Sequence, residues 1–110
     1  MMIMKNALAW FFLTLAILTE VAGTTSMKLS AGFTYLTPSI FIFIFYFFSF
    51  MFLTFSLKRL EVGFAYATWS GLGTLLIYII SVCFFLEPVT IIKTLSLFCI
   101  IMGVIGLQQA

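Results

Sequence analysis

A single carboxylate, Glu20, interrupts the apolar stretch AWFFLTLAILTEVAGTTSMK, and no other charge lies between Lys5 and Lys28. In hydrocarbon such a group is costly unless it pairs, takes up a proton or faces a wet cavity, so it marks a functional site by default. The chain has three acidic residues, and the other two, Glu61 and Glu87, stand at the edges of apolar runs. Tyr66 and Trp69 are three apart in EVGFAYATWSGLGTLLIYII, so both rings project from one side of a helix. An aromatic pair beside a carboxylate is a suitable receptor for a lipophilic cation, through ring-face attraction and charge pairing. An interfacial aromatic belt is the plainer reading of such a pair. Trp69 lies several residues inside its apolar run, which argues against it.

The elements that must position these groups are membrane-spanning helices. The sequence is 65% hydrophobic and 7% charged over 110 residues. A water-soluble domain of that size could not clothe its outside with so little polar surface. Charged punctuation leaves four apolar runs, about 6–27, 35–57, 62–85 and 91–108, each near the roughly 20 residues needed to cross a bilayer. Helices satisfy their own backbone in lipid. A barrel would need alternating polar positions and more strands. The connections KLSAGFTYLT, KRLE and EPVT are short, so residues 1–110 are expected to form one all-α, four-helix transmembrane domain. Lys5 before an apolar run resembles a signal peptide with VAG as a weak cleavage site. Glu20 at the end of that run and the three further spans favour a retained first helix.

Helical spacing in the first run places Leu13, Ala16, Glu20, Gly23, Thr24 and Met27 on one face. Phe11, Phe12, Leu15, Leu18 and Val21 fall mostly elsewhere. The small side chains around Glu20 leave room for a ligand or a second helix. In the second run, FIFIFYFFSFMF is largely lipid-facing bulk, with Tyr46 and Ser49 as hydrogen-bonding exceptions three apart. Gly71 and Gly73 in the third run permit a local bend or close backbone contact. Ser96, Gly103 and Gly106 in the fourth form a small-residue pattern that suits helix association, between subunits or within one. Cys83 and Cys99 lie within the runs and read as small buried apolar residues.

Several function classes fall away. There is no His, no cysteine cluster, no nucleophile–base constellation and no cofactor motif, so neither an enzyme nor a metal or other cofactor is expected. A net charge of +2 with basic residues scattered singly gives no nucleic-acid patch. If four helices cross, Lys5, Lys58 and Arg59 share one side and Lys28 and Lys93 the other, a weak topological bias.

The segments TEVAGTTSMKLSAGFT and GFAYATWSGLG resemble the small multidrug resistance family of bacterial transporters, over nearly the whole chain. The resemblance implies an antiparallel dimer, either a homodimer or a paired heterodimer, in the bacterial inner membrane. It implies that protons are exchanged for hydrophobic or amine-type cations, with Glu20 as the shared site. By position, Tyr46, Tyr66 and Trp69 would line the pocket, together with Ser49, Gly23, Thr24 and Ala16 around them. Gly71 and Gly73 would form a kink in the third span, and the fourth span, with Ser96 and Gly103, would hold the dimer. Trp69-Ser70-Gly71 is closer to the multidrug subgroup than to the guanidinium exporters, whereas FLTFSLKRLEVGFAYATW also resembles the paired, polyamine-exporting subgroup. Ala31, Met51 and the turn Leu86-Glu87-Pro88 depart from the family pattern and bear on the range of substrates.

Overall fold

Four runs of about twenty apolar residues can only fold in lipid by closing their own hydrogen bonds, and each becomes one helix. The computed structural model describes residues 7–109. Lys5 and Asn6, at the edge of the expected first span, lie outside the described residues. The helices are α1 (Ala7–Ser30), α2 (Leu36–Ser56), α3 (Val62–Cys83) and α4 (Ile91–Gln109), and all four are long and apolar enough to cross a membrane. At 1.5 Å per residue they measure from about 28 to about 36 Å, against a hydrocarbon core of about 30 Å. The protein is a multi-pass, all-helical membrane protein.

Local chemistry sets the helix ends. Pro38 sits in the first turn of α2, where its missing N–H removes a donor that would have no partner. After α1, the chain turns through Ala31, Gly32 and Phe33, all at positive φ, while the Ser30 carbonyl accepts the amides of Thr34 and Tyr35. α1 therefore runs three residues beyond the expected Met27. The Ser30 hydroxyl donates to the Met27 carbonyl and accepts the Phe33 amide, which ties off the end. Between α3 and α4, Leu86 also adopts positive φ, at +56°. Serine and threonine hydroxyls inside the helices donate back to carbonyls one turn earlier, as Thr25 does to Val21 and Thr74 to Ser70. That satisfies a polar atom without any neighbouring helix.

α1 is the centre of the packing. It lies against both α2 and α3, whereas α4 rests on α3. The core holds Leu13, Ala16, Ile17 and Val21 of α1, Leu53 of α2, and Ala65 and Trp69 of α3. Val21 thus faces the protein and not lipid. Its position beside Ile17 and Leu13 lets a second helix bury it, because α1 is covered on two sides. Met27, expected on the polar face, is instead exposed, while Ser26 and Ser30 on the adjoining side of the helix are buried. Both cysteines are exposed as well. Cys83 ends α3, and Cys99 lies on α4, which has no buried residue. In lipid an apolar thiol gains little from burial, so nothing draws it inward.

Candidate functional site

Glu20 sits in the middle of α1, one turn after Ala16 and one turn before Thr24, on the side facing α3. The Thr24 hydroxyl donates to Glu20 Oε1 at 2.8 Å. Thr24 is also hydrogen-bonded to the Tyr46 hydroxyl of α2. A threonine has one hydroxyl proton, and Glu20 takes it, so the Tyr46 hydroxyl must be the donor to Thr24. The result is a directed chain, Tyr46 to Thr24 to Glu20, in which each bond polarises the next. Glu20 Oε2 is buried and has no hydrogen-bond partner among the described residues. It lies against the α3 backbone, where a Cβ on Gly73 would stand 2.5 Å from it.

Glycine also lets Tyr46 reach this position. A Cβ on Gly23 would lie 2.8 Å from two ring carbons of Tyr46. Gly23 thus opens α1 to the tyrosine ring, and Gly73 opens α3 to the carboxylate. Gly71 has a different neighbour, because its Cβ would stand 2.9 Å from Val104 Cγ2 of α4. The hydrogen-bonded helix α3 continues through both Gly71 and Gly73, and each glycine acts here as a point of close approach.

A second polar knot lies one turn away. The Ser49 hydroxyl, fully buried, donates to the Ala16 carbonyl at 2.7 Å. Trp69 Nε1 donates to the same carbonyl at 3.3 Å and to Ser49 Oγ at 3.2 Å. In a regular helix that carbonyl also takes the amide of residue i+4, here Glu20. Three helices therefore converge on the turn that carries the carboxylate. Trp69 is 8% exposed, and its ring is 5.8 Å from that of Phe50.

The sequence-expected site residues separate into groups. Glu20, Thr24, Tyr46 and Gly23 meet in one cluster, and Ala16, Ser49 and Trp69 meet in the adjoining one. Tyr66 stands apart. Its ring is 5.4 Å from that of Trp69, yet 58% of the residue is exposed on the outer side. The two rings share a helix side, but Trp69 turns inward to a carbonyl acceptor while Tyr66 does not. Ser96 and Gly103 are exposed on α4, and a Cβ on Gly103 or Gly106 would meet nothing within 4 Å. The contact of Gly73 with Glu20 was not foreseen, nor was Tyr78 of α3, whose hydroxyl is buried without a partner among the described residues. Thr74, Tyr78 and Ser81 recur at helical spacing in an otherwise apolar segment, and that periodicity is the signal that could have found Tyr78.

A carboxylate in the span, tied to a threonine and a tyrosine and pressed against a glycine of the third helix, fits the sequence pattern described above. A family profile described as Small Multidrug Resistance protein matches residues 8–100. The chain belongs to the small multidrug resistance family. It is 53% identical to the uncharacterised membrane protein YvaE of Bacillus subtilis (strain 168), over 90% of this chain and 83% of that protein. It is 41% identical to the multidrug resistance protein EbrB of the same organism, over 90% and 85%. Similarity to a guanidinium exporter of Proteus vulgaris is 37% identity, over 94% of this chain and 99% of the exporter. EbrB is named for resistance and the Proteus vulgaris protein for export, and none of the three names describes catalysis.

Proposed function

We propose that this protein is a proton-coupled antiporter that exports hydrophobic or quaternary ammonium cations across the bacterial inner membrane. In this reading residues 1–110 act as one four-helix unit, and two units assemble antiparallel, as a homodimer or with a paired homologue. The observation that carries it is Glu20. Its carboxylate is held by Thr24 and Tyr46, while its second oxygen has no partner among the described residues. A group so placed gains from either a proton or a cation and cannot hold both. Competition at that one site couples the two fluxes. Two carboxylates, one from each subunit, would titrate as a linked pair. Antiparallel subunits exchanging conformations would then present the pair first to one side and then to the other.

The multidrug name of EbrB supports the hydrophobic-cation reading, as does the sequence Trp69-Ser70-Gly71. Guanidinium export is the second reading, favoured by the near-complete coverage of the Proteus vulgaris exporter. The decisive experiment reconstitutes the chain alone in proteoliposomes and measures uptake of a quaternary ammonium, a guanidinium and a polyamine ion under a pH gradient. We expect pH-driven uptake of the quaternary ammonium ion, and loss of uptake with Glu20→Gln. Uptake of guanidinium alone would establish the second reading. Transport that survives in Glu20→Gln would overturn the assignment of the site.

A further inference from the structure

α1 and α4 both pack on α3, and the three helices line an open groove of about 570 Å³. Its apolar lining includes Ile77 and Ile80 of α3 and Ile92, Leu97 and Ile100 of α4. Along α4 the lining runs from Ile92 to Ile100, eight residues or about 12 Å, against a hydrocarbon core of about 30 Å. Ile92 and Ile100 are both exposed, so the subunit does not seal the groove. The hydroxyls on its wall do not make it a wet channel. Thr24 donates to Glu20, Thr25 to Val21, Thr74 to Ser70, Ser81 to Tyr78 and Ser96 to Ile92, each within its own helix. The Tyr78 hydroxyl is buried from the surface. What the groove presents is mainly hydrocarbon.

One end of the groove is charged. Lys28 in the last turn of α1, Glu87 in the α3–α4 connection and Lys93 in the first turn of α4 all line it. In a chain that crosses four times these three share one membrane face, so the charged end lies at the headgroup layer. Lys93 Nζ donates to the Pro88 carbonyl at 3.0 Å, and among the described residues neither lysine is paired with Glu87. Two cations and one anion leave the rim with a net charge of about +1, which repels a lipophilic cation and attracts a phosphate. Basic pockets between membrane helices take anionic headgroups for this reason. The apolar length below the rim needs its own partner, because lining atoms that face a void forfeit their dispersion contacts. A lipid tail supplies those contacts as well as a leucine would.

We propose that this groove binds one anionic phospholipid. An acyl chain lies against α3 between α1 and α4, and the headgroup phosphate is held by Lys28 and Lys93. Glu87 limits the charge of the rim, which suits a headgroup with a single negative charge, such as phosphatidylglycerol. The bound lipid would complete the packing of α4, which buries no residue of its own in the subunit. This inference is independent of the role of Glu20.

Two measurements on the full chain test it. In native mass spectrometry of the detergent-solubilised protein, phosphatidylglycerol should bind more tightly than phosphatidylcholine. We expect that preference to fall about tenfold in Lys28→Gln/Lys93→Gln, since each lysine near an anionic lipid contributes on the order of 1 kcal/mol. It should persist in Lys58→Gln/Arg59→Gln on the opposite face, and glycerol phosphate, which lacks tails, should not compete. Equal binding of the two lipids, or a preference that survives in the Lys28/Lys93 variant, would overturn the proposal. The second measurement needs no variant. A phosphatidylglycerol carrying a diazirine in one acyl chain is photolysed in bilayers containing the parent protein, and the adducts are mapped by peptide mass spectrometry. We expect them to concentrate on Ile77, Ile80, Ile92 and Leu97. Adducts spread evenly over the outward residues Ile79 and Phe98 would reduce the lipid to bulk solvent. A groove free of adducts but crosslinked to a second copy would assign this surface to a protein interface instead.

Discussion

α1 and α4 are both long, apolar and free of sequence features that would keep them from spanning, yet they occupy opposite situations. α1 is covered by α2 and α3 and buries Ala9, Leu13, Ala16, Ile17, Val21 and Gly23. α4 packs mainly on α3 and has no buried residue. Hydropathy does not distinguish them, because lipid is as good a solvent for leucine as another helix is. What distinguishes α1 is one carboxylate turn, where Tyr46, Ser49 and Trp69 of the neighbouring helices bring hydrogen bonds to Thr24 and the Ala16 carbonyl that lipid cannot supply. The lesson is that in this protein the polar minority decides which helix lies inside.

The strongest way to break the contrast is to disturb the α1–α3 contact at the carboxylate. Gly73→Ala places a methyl group 2.5 Å from Glu20 Oε2, so the side chain must move. We expect pH-driven cation uptake to fall at least about tenfold, the equivalent of 1.4 kcal/mol at the barrier. On α4 a comparable enlargement meets nothing within the subunit, since Gly103 has open space around it. Gly103→Leu should therefore leave the helical content and thermal stability of the chain unchanged while weakening self-association, read by crosslinking or by single-molecule subunit counting. A large loss of helix stability in Gly103→Leu would show that α4 packs more tightly in its own subunit than its exposure indicates.

A smaller effect is expected at the second polar knot. Ser49→Ala removes a donor to the Ala16 carbonyl and an acceptor for Trp69 Nε1. Interhelical hydrogen bonds in membranes contribute about 0.6 kcal/mol on average and rarely more than about 1.7. We expect a stability loss in that range by denaturant titration in detergent, with a modest fall in cation affinity as the Glu20 turn loosens. The smallest change lies far from the comparison. Leu86 holds a positive φ that glycine adopts freely, and Leu86→Gly should relieve about 1–2 kcal/mol of backbone strain. A rise in melting temperature would check it, and transport by the variant should match the parent.

Much of the architecture was legible in the sequence, because spanning is a matter of length and apolar content. The C-terminal end of α1 was less so. The chain continues to Ser30 since Ser30 itself supplies the cap, a local bond that hydropathy does not register. Around the site, helical spacing identified Glu20, Thr24 and Gly23 as one face, and it marked Tyr46 and Ser49 on α2. Spacing within a helix is silent on which carbonyl a side chain finds on another. For that reason Tyr46 was a neighbour in expectation and a donor to Thr24 in fact, and Trp69 turned inward while Tyr66 did not. The cysteines were misread for a related reason. Burial rules drawn from water do not hold where the outside is apolar too.

By itself, then, the sequence determined that this chain crosses a membrane four times and carries one carboxylate where a carboxylate is expensive. Composition and run length suffice for that, because transfer of backbone and charge into hydrocarbon dominates every other energy. Only the tertiary structure decided what the carboxylate touches. Thr24 and Tyr46 hold one oxygen, Gly73 admits the other, and Ser49 and Trp69 clamp the preceding turn. Those contacts join three helices across long stretches of sequence, and their geometry depends on how closely the glycines let the backbones approach.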